Sequence, residues 1–492
     1  MNVLKNYING KFVASKSTHF IDIMDPAKDE VIALKPNSTQ EEIDETIAMA
    51  QAAFPGWRDT PGITRIHPLI KLHQLLLENL DKITEAVVVN HGKEWAAARG
   101  EVIRGYQMVE AALSVPEVQK GQFMSNIGLG IDEYSVLEPL GVVLIIVPFN
   151  FPAMIPFWFL PFAVATGNTA IIKSNSQTPL AMQLMTEYID QAGFPKGVIN
   201  YLHCNAAKGD YLIKHPLIRA VSSVGSTPIA THIYKTASDA GKRAQCHGGA
   251  NNFLMVTEQA NLDSIMPNMM NSCYGNTGQR CLSGSVVMVV GSQEYYVHFK
   301  KKFLEATNAL KIGYGMDKEN AMGPIVSKKA LAKLLEQIQD GVDEGAELIL
   351  DGRDLKIDGY PNGYWLGPCV YEKAKPGMKV YDEEIFGPVV CLDRVDTLTE
   401  AIEISNAHPM GNAITIYTEN GSEAREFRYN SNAGQIGINI GIVAPIAWFP
   451  FAGAKDSFFG SLRAQGPEVI KFYTKEVVVI EKFHGTTEIP WD

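Results

Sequence analysis

Hydrophobic positions alternate between helical and strand-like spacing from about residue 40 onward. The segment TQEEIDETIAMAQAAFPGW (39–57) has apolar residues three and four apart behind a Thr and a Glu that can cap a helix. Residues 65–92 continue at helical spacing. Both segments are therefore predicted to be helical.

A regular alternation of strands and helices follows. The strands are predicted at 142–147, 169–173, 198–203 and 218–224, and the helices at 153–166, 179–192 and 206–214. A second series begins near residue 253, with strands at 285–291 and 413–418 and helices at 294–310 and 327–344. Such repeats predict parallel sheets with helices on both faces. A chain of 492 residues is too long for one core, so two or three domains are expected.

Two stretches show whether the chain could cross a membrane or contact another subunit. Residues 139–173 are apolar and carry charge only at Lys173, but prolines at 148, 152, 156 and 161 interrupt any long helix. We therefore predict a buried strand, a helix and a second buried strand there, and no membrane span. The tail 468–483 ends in a strand suited to complete the sheet of another subunit.

Charge and cysteine content narrow the function classes. The net charge of −11 argues against non-specific binding to nucleic acid or acidic lipid. The six cysteines show no CxxC pair and no metal-ligand spacing, so no metal is expected and free thiols in the cytoplasm are predicted. The N-terminus has no apolar segment typical of a secretion signal.

The segment GNTGQRCLSG (275–284) places Arg280 beside Cys281. A neighbouring guanidinium can lower the pKa of a thiol and favour the reactive thiolate. A lone cysteine is more often an inert part of the core, so this pair alone does not decide between the two interpretations.

Three further motifs accompany this segment: PFNFP (148–152), SSVGSTPIA (222–230) and EEIFGPV (383–389). In this order and at these separations, the four resemble those of the aldehyde dehydrogenase superfamily. The resemblance runs from YINGKF (7–12) to the terminal strand. It implies an α/β fold with two doubly wound parallel-sheet domains and a small β extension for oligomerisation. The implied division assigns residues 1–120 and 140–247 to a dinucleotide-binding domain, 248–465 to a catalytic domain, and 121–139 with 466–492 to bridging β segments.

The resemblance also implies roles for single residues. Cys281 matches the nucleophile that forms a thiohemiacetal with the aldehyde, and Asn150 matches the amide that stabilises the resulting oxyanion. The residues that match the nicotinamide cofactor site are Phe149, Lys173, Ser176, Gly225, Ser226, Glu384 and Phe386. The implied enzyme is an NAD-dependent homodimer or homotetramer, with NADP as the alternative cofactor.

Position 247, which lies 34 residues before Cys281, departs from the family pattern. The family normally has a Glu there that activates water to hydrolyse the thioester, and this chain has His247. The methylmalonate-semialdehyde dehydrogenase branch also lacks that Glu and uses coenzyme A. The chain resembles this branch in EVIRGYQMVEAAL (101–113), GANNF (249–253) and WFPFAGAKDSFFG (448–460). In that branch two arginines grip the acidic end of the substrate, and Arg104 and Arg280 match them.

Several alternatives stay open at this point. His247 is either a base or a bystander, because its ordinary pKa is near neutral and the branch has Asn there. The acyl group is released either by coenzyme A or by water, in which case the substrate is a small carboxylated or sulfonated aldehyde. Ser176 replaces a Glu that usually disfavours NADP, and Ala230 replaces a Gly. A catalytically inactive relative that only binds ligands is a further alternative. The chain keeps Cys281, Asn150, Glu384 and Phe386 together, which argues against it.

Overall fold

The computed structural model describes residues 2–483. The elements of the first half of the chain are β1 (Asn6–Ile8), β2 (Lys11–Val13), β3 (Phe20–Asp25), β4 (Glu30–Pro36), α1 (Gln40–Asp59), α2 (Gly62–Arg65), α3 (His67–Glu78), α4 (Leu80–His91), α5 (Trp95–Ala112), α6 (Val115–Val118), β5 (Phe123–Gly128), β6 (Ile131–Pro139), β7 (Val142–Ile146), α7 (Ile155–Ala165), β8 (Thr169–Lys173), α8 (Leu180–Ala192), β9 (Ile199–Leu202), α9 (Ala206–Lys214), β10 (Ile218–Val224), α10 (Thr227–Asp239) and β11 (Arg243–His247).

The remaining elements follow from residue 252. They are β12 (Asn252–Thr257), α11 (Leu262–Tyr274), a 3₁₀ turn (Gly275–Gly278), β13 (Gly284–Val290), α12 (Gln293–Asn308), α13 (Lys328–Asp343), β14 (Glu347–Leu350), β15 (Cys369–Glu372), α14 (Lys379–Asp382), β16 (Val389–Val395), α15 (Leu398–Ala407), β17 (Met410–Gly411), β18 (Ala413–Tyr417), α16 (Gly421–Asn430), β19 (Gln435–Ile438), β20 (Ala454–Lys455), β21 (Phe458–Phe459), α17 (Gly466–Phe472) and β22 (Thr474–Lys482).

Two large sheets organise the chain. The first has the order β2-β1-β9-β8-β7-β10-β11-β21, and its five central strands are parallel. The second has the order β14-β15-β16-β13-β12-β18-β19 and is parallel except at β14. A three-stranded antiparallel sheet, β22-β6-β5, forms a separate extension. The predicted α/β class with two parallel sheets and a small β extension is confirmed.

The apolar stretch 139–173 supplies two central strands of the first sheet. It folds as β7, α7 and β8, and every residue of α7 is buried. A helix that is apolar on all sides is suited to a protein core as well as to a membrane. Within residues 2–483, no helix has both the length and the hydropathy of a membrane span. Because β7, β8, β10 and β11 are parallel, their carboxyl ends meet at one edge of the sheet.

Three local features differ from the sequence prediction. The region 65–92 is divided at Asn79, which leaves the helical conformation and donates its side-chain amide to the Leu75 carbonyl. The first part of the predicted bridging segment 466–492 is the helix α17, whose Val469 and Ile470 join the core around α7. β21, expected in the catalytic domain, pairs with β11 in the first sheet. Residues 484–492 lie outside the described residues.

Candidate active site

The segment 275–281 carries the predicted nucleophile Cys281 and is called the nucleophile loop. It begins with a strained turn between α11 and β13. Asn276 and Thr277 are buried at φ values of 56° and 54°, a conformation that costs non-glycine residues energy. Hydrogen bonds hold it in place: Asn276 N donates to both carboxylate oxygens of Glu94 at 3.0 and 3.2 Å, and Thr277 Oγ1 donates to Gly323 O at 2.9 Å. Gly278 completes the turn at φ 68°, where a Cβ would lie 2.0 Å from the Gly387 carbonyl.

Cys281 follows this turn and lines a cavity of about 860 Å³. Its carbonyl accepts hydrogen bonds from the side-chain amides of Asn252 and Asn412, both at 2.9 Å. Burial, assisted by the Glu384 carboxylate, raises the pKa of the thiol to about 12, and Arg280 opposes this shift. Arg280 thus lowers the pKa of the thiol, as the sequence predicted, but desolvation has the larger effect in this structure.

Asn150 lies beside the nucleophile loop. Its side chain is buried, and Nδ2 donates to the Gln279 carbonyl at 3.2 Å, two residues before Cys281. Its own carbonyl accepts a hydrogen bond from Lys93 Nζ at 2.6 Å. The fold therefore brings an amide donor next to the thiol-bearing loop, as the proposed oxyanion role requires.

A buried ion pair braces the Asn150 loop, and the sequence analysis missed it. Lys93 Nζ and Glu101 Oε2 are 2.7 Å apart, and neither side chain is exposed. Glu101 Oε1 accepts the backbone N–H groups of Ala153 at 2.6 Å and Met154 at 3.3 Å. The sequence offered one signal: Glu101 lies at helical spacing among apolar residues such as Ala98, Val102 and Met108. It was missed because charged residues are rarely fully buried.

Two arginines line the same cavity as Cys281. Arg104 projects from α5 and donates to Gln107 Oε1 at 3.4 Å. Arg280 is 9% exposed and donates to the Asn271 carbonyl at 3.3 Å. Apolar side chains form much of the remaining wall, including Phe151, Met154, Trp158 and Phe451. A desolvated guanidinium binds a carboxylate strongly, so the cavity suits a small acidic molecule.

His247 lies at the carboxyl end of β11 in an aromatic environment. Its ring packs against Trp158 and Phe451, two residues that line the cavity, at centroid distances of 6.1 and 5.6 Å. Nε2 accepts the backbone N–H of Ala464 at 3.3 Å. Burial, with a smaller contribution from Arg463, lowers the pKa of His247 to about 3. The imidazole is therefore neutral with its Nε2 lone pair in use, which favours the bystander interpretation over the base.

Four of the residues matched to the cofactor site, Lys173, Ser176, Gly225 and Ser226, lie at the carboxyl edge of the first sheet. Lys173 ends β8, and Ser176 is exposed in the loop after it. Gly225 donates its N–H to the His247 carbonyl at 3.0 Å, and Ser226 precedes the first turn of α10. A helix N-terminus at this edge is suited to a pyrophosphate.

The matched aromatic and acidic residues also converge. Phe149 packs edge-on against Phe386 at 5.8 Å and stacks on His91 at 6.1 Å. Glu384 Oε1 accepts the Ala250 N–H at 2.9 Å, and burial raises the pKa of this carboxyl to about 7. The motifs 148–152 and 383–389, distant in sequence, thus meet beside Cys281.

Two additional lysines lie near Lys173, and the sequence analysis did not identify them. Lys35 is buried and donates to the Asn175 carbonyl at 3.1 Å. Burial and the nearby Lys173 lower its pKa to about 8. Lys208 donates to the Asn37 carbonyl at 3.3 Å. Within residues 2–483, no group of three or more His, Cys, Asp and Glu residues is arranged to hold a metal ion.

Comparison with known proteins shows the family to which the chain belongs. The model of the aldehyde dehydrogenase family matches residues 12–479. Malonate-semialdehyde dehydrogenase of Pseudomonas aeruginosa is 40% identical over 98% of this chain and 97% of its own. Malonate-semialdehyde dehydrogenase 2 of Geobacillus kaustophilus is 38% identical over 98% and 99%.

Solved structures extend the likeness to three dimensions. The methylmalonate-semialdehyde dehydrogenase of Oceanimonas doudoroffii superposes with a TM-score of 0.96 at 35% identity, covering 99% of both chains. A Sinorhizobium meliloti structure described as a methylmalonate-semialdehyde dehydrogenase, complexed with NAD, gives 0.96 at 36% identity and the same coverage. On the match over nearly its whole length, the chain belongs to the aldehyde dehydrogenase family.

Proposed function

We propose that the protein oxidises a short acidic semialdehyde, of the malonate or methylmalonate semialdehyde type, to an acyl-coenzyme A with a nicotinamide cofactor. The observation that carries this proposal is the placement of Arg104 and Arg280 in the cavity that contains Cys281. The carboxylate at one end of the substrate binds the guanidinium groups of Arg104 and Arg280. The aldehyde at the other end then lies next to the thiol of Cys281. The names of the Pseudomonas and Oceanimonas relatives support this substrate class.

The proposed chemistry begins with attack of the Cys281 sulfur on the aldehyde carbon. The thiol proton leaves to solvent, the carbonyl π electrons move to the oxygen, and a thiohemiacetal oxyanion forms. Asn150 Nδ2 exchanges its hydrogen bond to Gln279 for one to this oxyanion. A nicotinamide cofactor bound beside Glu384 and Phe386 would supply the hydride acceptor that conversion of the thiohemiacetal to a thioester requires. A second thiolate, that of coenzyme A, then displaces Cys281 from the acyl group.

Coenzyme A is favoured over water because His247 is a poor base. Its pKa near 3 and its hydrogen bond from Ala464 leave it unable to take a proton at neutral pH. The alternative is hydrolysis to a free acid, with a small carboxylated or sulfonated aldehyde as substrate. That alternative needs another base beside the thioester.

The cofactor assignment is NAD, with NADP also accepted. The donor set fits a dinucleotide: a helix N-terminus at Ser226 for the pyrophosphate, the Glu384 carboxylate for the nicotinamide ribose, and Phe386 beside the ring. Lys35, Lys173 and Lys208 lie around the predicted adenosine end, where Ser176 stands in place of a carboxylate. Their positive charge compensates a 2′-phosphate, which is why NADP is accepted as well as NAD.

We further propose a cytoplasmic homodimer or homotetramer. All six cysteines are free thiols, which supports a reducing compartment. β22 lies at the edge of the three-stranded extension, where Val478 and Ile480 are exposed. Such an edge pairs readily with a second chain. The proposed domain division assigns residues 1–120 and 140–247 to the cofactor, 248–465 to catalysis apart from β21, which pairs with the first sheet, and 121–139 with 466–492 to assembly apart from α17, which joins the core around α7.

The substrate class is tested with Arg104→Leu. Arg104 is half-buried, and the bound substrate is expected to exclude water from it. Losing one of the two charged partners of the carboxylate then costs about 2 kcal/mol or more, so kcat/KM for malonate semialdehyde falls at least about thirtyfold relative to kcat/KM for propanal. Arg99→Leu is the matched control, because Arg99 lies on the same helix in an exposed pair with Asp81. Equal losses for the charged and neutral aldehydes contradict the proposal.

A further inference from the structure

Glu94 is a buried carboxylate in the substrate cavity to which neither the family motifs nor the steps above assign a role. It directly precedes α5, is 4% exposed and lines the cavity together with Arg280 and Cys281. Both of its carboxylate oxygens accept the Asn276 N–H, at 3.0 and 3.2 Å. Its position is therefore determined by the nucleophile loop itself.

The Arg280 guanidinium lies against the neighbouring residue of that loop. A Cβ built on Gly275 would be 3.1 and 3.2 Å from the two terminal nitrogens of Arg280. Carboxylate and guanidinium thus flank consecutive residues, 275 and 276, and each faces the cavity. The closest polar partner of the guanidinium is the Asn271 carbonyl at 3.3 Å, so Arg280 keeps donors available for a substrate.

The charged side chains around this part of the cavity do not cancel one another completely. Lys93 and Glu101 form a direct pair at 2.7 Å and neutralise each other. Arg104 and Arg280 contribute two positive charges, and Glu94 contributes one negative charge. Burial raises the pKa of Glu94, but Arg280 and the Asn276 N–H oppose this shift and favour the ionised form. The anion site therefore carries a single net positive charge.

We propose that Glu94 is a specificity-determining residue that limits this site to monoanionic aldehydes. In a desolvated cavity, Glu94 repels an anion bound at Arg280 and offsets the charge of one of the two arginines, so a dianion keeps one negative charge uncompensated, and its desolvation is costly. A single carboxylate on the substrate is attracted by the net charge, whereas a phosphonate or phosphate dianion is not neutralised. This inference rests on the proposed function, because it assumes that the substrate anion binds at Arg104 and Arg280.

The test is Glu94→Gln, which removes the charge and keeps an oxygen to accept the Asn276 N–H. At pH 8.5 the kcat/KM ratio of malonate semialdehyde to propanal is expected to rise about tenfold. The ratio of dianionic phosphonoacetaldehyde to propanal is expected to rise further. Inhibition constants of unreactive 3-hydroxypropanoate, a monoanion at this pH, are measured during propanal oxidation and are expected to fall by a similar factor.

Glu94→Thr is the second neutral variant in case Glu94→Gln fails to fold, and the same rise is expected. Glu94→Asp keeps the charge, so its ratios are expected to stay with the wild type even where kcat falls. Glu319→Gln is the control, because Glu319 is exposed at the cavity rim and paired with Lys311.

The outcomes separate the inference from the function on which it rests. If the wild type prefers malonate semialdehyde to propanal but neither neutral variant changes the ratios beyond twofold, the Glu94 role is wrong. If the wild type shows no such preference, the proposed function fails first. A merely structural Glu94 lowers kcat for all aldehydes alike and leaves the ratios unchanged.

Discussion

Replacing Lys93 with Met tests whether the buried ion pair positions the Asn150 loop. Lys93 Nζ donates to Glu101 Oε2 at 2.7 Å and to the Asn150 carbonyl at 2.6 Å, and it lies 4.0 Å from the centre of the Phe151 ring. Met has a similar length and fills much of the same space. The substitution therefore removes the charge and the donor while creating little cavity.

The expected cost comes mainly from the charge left behind. Glu101 is fully buried, and removing one member of a buried pair costs about 3–5 kcal/mol because the other stays unpaired. Removing the charges of Lys93 and Glu101 together costs less stability than removing one of them. In the double variant Lys93→Met/Glu101→Gln, Gln Oε1 still accepts the Ala153 N–H, so the loss is expected to fall below about 2 kcal/mol.

Denaturant unfolding of the wild type, the two single variants and the double variant gives the free energies of unfolding for a double-mutant cycle. The value of kcat is measured for each variant as well. Lys379→Met is the matched control, because its exposed pair with Asp340 spans 2.9 Å and contributes about 0–1 kcal/mol. We expect Lys93→Met to lower kcat in conditions where the protein stays folded, since the Asn150 carbonyl loses its anchor. A loss no larger than that of Lys379→Met, or a double variant that loses the sum of both singles, refutes this reasoning.

Three further predictions concern the thiol and the cofactor. Alkylation of Cys281 by iodoacetamide in the cofactor-free enzyme should accelerate about tenfold per pH unit from 7 to 9.5, because a thiol with a pKa of about 12 is mostly protonated in this range. The Cys281→Ala variant gives the background rate of alkylation. A rate that reaches a plateau below pH 9 contradicts the raised pKa. Glu384→Gln should speed this alkylation at pH 8.5 but not at pH 6, because a carboxyl with a pKa of about 7 is charged only at the higher pH. Equal alkylation rates for the variant and the wild type at pH 8.5 argue against an effect of the Glu384 charge on the Cys281 thiol. Ser176→Glu should weaken NADP binding and spare NAD, since a carboxylate repels the 2′-phosphate; an unchanged ratio of the two dissociation constants means that position 176 does not face the ribose.

The parallel strands were predictable from sequence because they are buried on both faces. β8 and β10 have the predicted bounds, and β7 ends one residue early, since continuous apolar runs leave little choice of register. The break at Asn79 was not predictable from helical spacing, because apolar positions continue through it. The break depends instead on a local hydrogen bond between the Asn79 side chain and the chain one turn earlier.

The site divides in the same way. Cys281, Asn150 and Glu384 were found because their motifs resemble a family. Lys93, Glu94 and Glu101 were not found, since charged residues before and within an amphipathic helix normally face water. Their burial depends on the loops 150–154 and 275–278, which close over them in three dimensions. The high pKa of Cys281 has the same origin, because desolvation depends on the tertiary packing around the thiol.

The fate of the acyl group tests the central claim most directly. Malonate semialdehyde is oxidised by the wild type, His247→Asn and His247→Glu with and without coenzyme A, and the thioester and free acid are quantified. The account predicts thioester as the main product of the wild type, coenzyme A-dependent turnover of His247→Asn within about tenfold of it, and more free acid from His247→Glu. Free acid alone at saturating coenzyme A, abolished by His247→Asn, would contradict the account and make His247 the base.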